Sequence, residues 1–201
     1  MDKLINLAKQ FILSPKEAWE SVKDDTSTAQ QHITSYVFPL ALIPAIATFI
    51  GVGIIGYSFL GVRVHSMELG ITQAVVSLLS TLLGVYISGF VISKLAPSFQ
   101  TEVSLDKAVK LVGFSYTAML VAGIFNIIPM LGIIVFIAGL YSLYVLYLGF
   151  KPMTNVTEEK SMGYFIVSIV VIILVYIVIG IVLAALFGAL GMATMKGGMG
   201  L

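Results

Sequence analysis

The chain has 201 residues, of which 59% are hydrophobic and 10% charged, and its formal net charge is +1. A soluble domain carries about 25% charged residues, and so short a chain cannot hide this much apolar surface inside a globule, which excludes a soluble fold and gives no basis for a nucleic-acid partner. The absence of cysteine excludes disulfides, thiolate metal sites and thiol catalysis.

Residues 1–34 form an amphipathic N-terminal segment. Its first fourteen residues lack an uninterrupted apolar core and a small-residue cleavage site, so no signal peptide is expected. Leu4, Leu7 and Phe11, with Ile5 and Ile12, recur at helical spacing, and Lys3, Lys9 and Gln10 lie elsewhere on the wheel. The pattern predicts a helix lying in the membrane interface; the alternative is a cytosolic helix packed on the inner mouth of the bundle. A second short helix is expected from Pro15, with Ser14 as its cap and Glu17 completing a capping box. Phe11 and Trp19, the sole tryptophan, are the expected interface anchors.

Charges delimit the spans, since each costs a few kcal/mol at the bilayer centre. Asp, Glu, Lys, Arg and His are absent from 33–62, 69–93, 111–150 and 161–195. A span needs about 20 residues, so the first two stretches hold one each, near 36–57 and 71–95. The third would be about 60 Å long as one helix, twice the hydrocarbon thickness. Asn126, Pro129 and Gly132 supply a turn, which divides it into spans at 105–126 and 131–150. Lys107 and Lys110 at the start of the third span are placed to snorkel. The fourth stretch holds one long tilted span at 162–190, because only 15 residues separate Gly180 from Lys196. Residues 196–201 read as a flexible tail. The predicted fold is an all-α five-transmembrane-helix bundle over 35–195, preceded by the amphipathic interfacial helix.

With the N-terminus inside, the inner segments carry Lys3, Lys9, Lys16, Lys23, Lys94, Lys107, Lys110, Lys151 and Lys160; the outer ones carry Arg63 and Lys196. The positive-inside rule therefore puts the N-terminus in the cytoplasm and the C-terminus outside. Three spans with a re-entrant hairpin would give the same charge asymmetry, but both hairpin arms are long enough to span.

Chemistry-bearing motifs are sparse. His32 and His65 fall on opposite sides of this topology and read as surface residues. Asp24 and Asp25 read as a solvated linker, and Asn155-Val-Thr157 as a chance glycosylation match on the inner side. No phosphate loop, zinc-protease helix or serine elbow is present, so no catalytic, cofactor or metal site is expected. No span carries an ionisable group near its centre, unlike most ion-coupled carriers. Small residues remain. Ser77, Thr81, Gly84 and Ser88, with Ser80 beside them, share one face of the second span. Gly113, Thr117 and Ala118 line the third, and Gly180, Ala184 and Gly188 the fifth. Such faces let helix backbones approach, and the fifth is expected to meet the second or a second copy of the chain. Tyr144 and Tyr147 suit an inner aromatic belt, and Tyr141 lies deep enough to need a partner across the bundle. Pro44 is a candidate kink, with Asn126 and Pro129 as candidate hinges.

Several motifs together resemble the Yip family of multispanning membrane proteins, named for interaction with Rab-type GTPases, and most of all its small bacterial branch. They are Ile12-Leu-Ser-Pro-Lys-Glu-Ala-Trp19, Pro39-Leu-Ala-Leu-Ile-Pro44, Gly113-Phe-Ser-Tyr-Thr and Tyr144-Val-Leu-Tyr-Leu-Gly149, the last leading into the Glu158-Glu-Lys160 loop. The resemblance implies five spans with a cytoplasmic N-terminus, in a prokaryotic cytoplasmic membrane. Two departures stand out. Ser35-Tyr-Val-Phe-Pro39-Leu40 keeps only the Pro-Leu end of the eukaryotic first-span motif. Phe114 and Ala118 replace the Tyr and Pro of its Gly-Tyr-x-x-x-Pro motif. These departures and the short N-terminal segment give no ground for GTPase binding. The expected partners are the lipid bilayer and another membrane protein or a second copy. The functional expectation is a non-enzymatic membrane-organising or adaptor protein, the alternative being a conduit for a small solute, ion or lipid past Ser77, Ser80, Thr81 and Ser88.

Overall fold

A computed structural model describes residues 2–59 and 62–198, with side chains described except at 57–64, 129, 184 and from 187 onward. Helices α1 (Asp2–Leu13) and α2 (Pro15–Val22) form an antiparallel pair. Ser14 precedes α2 but its side chain makes no capping bond, so the expected capping box is not formed. The chain passes straight from one helix to the next through the bonds Ser14 N–H to Gln10 O and Ala18 N–H to Ser14 O. A true capping box stands at Thr28 and Gln31, where α3 (Ala29–His32) begins.

From Ala29 the chain stays helical to Ile55, through π-helical turns at Ile33–Val37 and Phe49–Ile55 on either side of α4 (Phe38–Thr48). A two-stranded antiparallel hairpin, Tyr57–Phe59 with Val62–Val64, leads to α5 (Met67–Leu95), which Ser66 caps. Helices α6 (Leu105–Ser115) and α7 (Thr117–Ala122) follow, the latter running into a 3-10 turn at Gly123–Ile127. A second 3-10 turn at Pro129–Leu131 opens α8 (Gly132–Thr154), so the chain reverses where Asn126, Pro129 and Gly132 predict it. Asn155 takes the left-handed conformation that ends α8, a role for which asparagine is suited. That role explains the residue without any glycosylation. Helix α9 (Glu158–Gly198) continues past 196, where the sequence places a flexible tail.

Among the described residues four helices are long and apolar enough to cross a membrane, or five if Leu105–Ser115 and Thr117–Ile127, bent by 41°, are one broken span. Glycines set the crossings. A Cβ on Gly70 would lie 2.5 Å from Gly53 Cα, and one on Gly89 would lie 2.7 Å from Val109 Cα. Gly51 abuts the Asn126 carbonyl, Gly84 the Tyr176 ring and Gly123 the Pro44 ring. In lipid, where apolar surfaces have no hydrophobic reason to associate, such close backbone approach is a main source of helix adhesion.

The Gly89 contact includes the Val109 backbone as well as its side chain, and the backbone cannot give way. Gly89→Ala should therefore separate α5 from α6 and destabilise the fold by about 1–3 kcal/mol. Reversible denaturation in mixed detergent micelles would measure the loss.

Candidate functional site

The densest cluster of buried aromatic and polar side chains lies where the N-terminal pair meets the bundle. Phe11 and Trp19 are 0% and 1% exposed. They are therefore buried against the bundle, and their rings are covered by protein where the sequence suggests lipid-facing anchors. The reason is shape. Gly149 leaves a notch in α8 that the indole fills, and Trp19 Nε1 donates to the Val145 carbonyl at 2.9 Å. Phe11 stacks on Phe114 with centroids 4.7 Å apart, and Trp19 meets both rings edge-on.

His32 and Tyr36 extend the cluster from the first long helix, and both rings contact Phe114. His32 is buried, unlike the surface residue the sequence suggests, because Gly113 leaves room for its ring. Its Nε2 has no hydrogen-bond partner. The Tyr36 hydroxyl lies 2.7 Å from Thr117 Oγ1. Thr117 donates to the Phe114 carbonyl, so Tyr36 is the donor of their shared bond.

Lys110 is 1% exposed and does not snorkel. Its ammonium donates to the Asp25 carbonyl and stands 3.7 Å from the Asp25 carboxylate. Asp25 is thus half of an ion pair and more than linker. Burial raises the Asp25 pKa, but hydrogen bonds from Ser27 and the charge of Lys110 outweigh it and hold the carboxyl below its ordinary value. Asp106 accepts from the Ala29 N–H at 2.6 Å and ties α6 to the start of α3. A cleft of about 420 Å³ opens between α1 and the first long helix, lined by Lys3, Asp25, Ser27, His32, Ser35 and Tyr36 among others.

The remaining predicted residues fall elsewhere. Ser77, Ser80 and Thr81 are half-buried on α5, and Thr81 donates to the Ser77 carbonyl within its own helix. Gly84 and Ser88 are both buried, and Gly84 meets α9 at Tyr176, not at the Gly180 face. Among the described residues nothing lies within 4 Å of a Cβ placed at Gly180, so that glycine makes no seam with α5. The side chains at Ala184 and Gly188 lie outside the described residues. Pro44 is buried within α4 and packs on Gly123. Asn126 sits half-buried in the reversal, with the side chain of Pro129 outside the described residues. His65 is exposed, and no group of three or more metal-ligating side chains occurs among the described residues.

Three of the four motifs that carry the family resemblance thus meet at Trp19, which contacts Val145 and Gly149 on one side and Phe114 edge-on on the other. A family model for the Yip1 domain matches residues 9–182. The chain belongs to the Yip1 family. Among its relatives is the inner membrane protein YohC of Escherichia coli (strain K12), 26% identical over 155 residues, which are 75% of this chain and 80% of YohC. YohC of Escherichia coli O6:H1 (strain CFT073) matches to the same extent. No solved structure matches the chain. As a Yip1-family integral membrane protein, it places three of these motifs in the seam that fastens the N-terminal pair.

Two outcomes test this seam. Gly149→Leu should expel the indole from its notch, read as a red shift in the emission of the only tryptophan. Asp25 should contribute stability at neutral pH and lose it as pH falls from the ordinary value of 3.8 through the lowered native one. Trp19 emission during an acid titration would follow that loss, and Asp25→Asn should flatten it.

Proposed function

We propose that this Yip1-family protein is a non-enzymatic membrane-organising adaptor of the prokaryotic inner membrane. In this reading the bent pair is one span, the bundle has five, and the N-terminus is cytoplasmic with the C-terminus outside. The observation that carries the proposal is the clamped N-terminal pair. Its inner face is spent on Trp19 and Phe11, while its outer face offers Lys3, Asn6, Lys9, Gln10, Glu17 and Glu20 to the cytoplasm. A rigid, charged platform held on a lipid-embedded bundle suits recruitment of another membrane protein or a second copy. The Lys asymmetry and the inner-membrane location of YohC support the orientation and the compartment.

A conduit is the second reading, and one observation favours it. The hydroxyls of Ser88 and Ser168 are buried without a hydrogen-bond partner. They lie on α5 and α9 between the contact of Gly84 with Tyr176 and the 2.5 Å bond from Tyr164 to the Ile92 carbonyl. Orphan hydroxyls in a seam can serve a passing polar species. Solute flux in proteoliposomes that falls with Ser88→Ala would establish this reading over the adaptor.

The adaptor is tested by placing a photocrosslinker at exposed Asn6 or Gln10 in growing cells. Discrete protein adducts are expected there and none at lipid-facing Ile137; their absence at both N-terminal sites defeats the proposal. Orientation has its own test. Cysteine at Thr157 should be labelled only from the cytoplasm and cysteine at Ser66 only from outside, and no native cysteine interferes.

A further inference from the structure

We infer that the corner joining α1 to α2 is a lipid-contact element, with Leu13 seated among the acyl chains at the inner edge of the cytoplasmic leaflet. The inference rests on the five-span reading above and adds to it what covers one particular surface. Leu13 is 78% exposed, more than any other described large apolar side chain except Met130. Leaving so much apolar surface in water opposes the burial that organises the rest of the segment.

The position of the corner identifies its cover. The Tyr141 hydroxyl donates to the Ile12 carbonyl at 2.7 Å. Tyr141 lies ten residues from Lys151, about 15 Å along α8. The Leu13 end of α1 is therefore held near the level of Tyr141, and α2 returns from it so that Lys16 and Glu17 stand in a cleft with Lys151. The opposite end of the pair, near Lys3 and Asp25, stays beside the charged residues of the cleft. Around Tyr141, α8 exposes Ile137, Leu140, Tyr144 and Tyr147. These side chains recur on one face of a span and must meet lipid. Leu13 continues that surface at the corner itself. The Tyr141 bond also fits this setting. The last carbonyls of a helix have no partner within it, and away from water a side-chain donor must replace the solvent.

Charge does not drive the contact. Residues 2–20 hold Lys3, Lys9 and Lys16 against Asp2, Glu17 and Glu20. A balanced segment gains little from an anionic surface, so insertion depends on apolar area and on the Tyr141 and Trp19 tethers. The corner adds cross-section to one leaflet alone, which is how a bundle could act on the shape of the bilayer around it.

The experiment labels Leu13→Cys and, separately, Lys23→Cys with an environment-sensitive fluorophore in the full-length protein. Both are reconstituted in neutral phosphatidylcholine vesicles and in vesicles containing phosphatidylglycerol. Trp19 emission certifies that the pair remains docked. Emission from the Leu13 label should be blue-shifted, quenched by lipids carrying a nitroxide near the top of the acyl chain, and alike in both vesicles. The Lys23 label should report water. A Leu13 label that resembles the Lys23 label overturns the inference. So does a blue-shifted label that lipid nitroxides do not quench, which would mean a second copy covers the corner. Insertion only into phosphatidylglycerol vesicles overturns the charge-independent form. Fluorophore depth reads the same from either leaflet, so a reversed orientation in the Thr157 and Ser66 labelling defeats the topology without imitating any of these results.

Discussion

One indole fixes the relation between the N-terminal segment and the bundle. Trp19 can enter α8 only because Gly149 has no side chain, and its N–H can stay there only because the Val145 carbonyl accepts it. A buried N–H without a partner would cost a few kcal/mol, so geometry and bonding must be met at once. With the indole seated, Phe11 and Phe114 stack beside it. Phe114 in turn meets His32 and Tyr36, whose hydroxyl reaches Thr117 at the bend between α6 and α7. The pair Asp25–Lys110 closes the same region from the polar side. Removing the first contact therefore loosens a chain of dependent ones.

Elsewhere the bundle obeys a second rule. Where helices cross most closely, at least one partner contributes a glycine: Gly53 and Gly70 between the first two long helices, Gly89 between α5 and α6, Gly84 between α5 and α9. These are the contacts lipid cannot compete with, since acyl chains match side chains in polarity but cannot follow backbone relief. The large exposed residues, such as Phe136, Ile173 and Ile181, lie on the faces turned away from these crossings.

The long helices were legible because charges mark their ends, and the reversal was legible because Pro129 and Gly132 are poor inside a helix. What could not be read is depth within the protein. The wheel of α1 gives Phe11 an apolar face whether lipid or protein covers it, and only the distant notch at Gly149 decides between them. His32 and Lys110 look like surface residues because their burial depends on Gly113 and Asp25, which are far away in sequence. The glycine at 113 carried the hint, but a glycine does not name the side chain that will use its space. Gly180 shows the converse: small-residue spacing alone does not bring another described helix of the same chain against it.

The Trp19–Val145 bond joins residues 126 positions apart. At ordinary elongation rates of about 5–20 residues per second, roughly 6–25 seconds separate the two leaving the ribosome. During that interval α1 and α2 have been made but their receptor has not. They must wait at the membrane surface while the intervening helices are threaded in, and they can settle only after Gly132–Thr154 is in place. The first segment synthesised is thus among the last to be fastened, and its seating records that assembly has passed Gly132–Thr154.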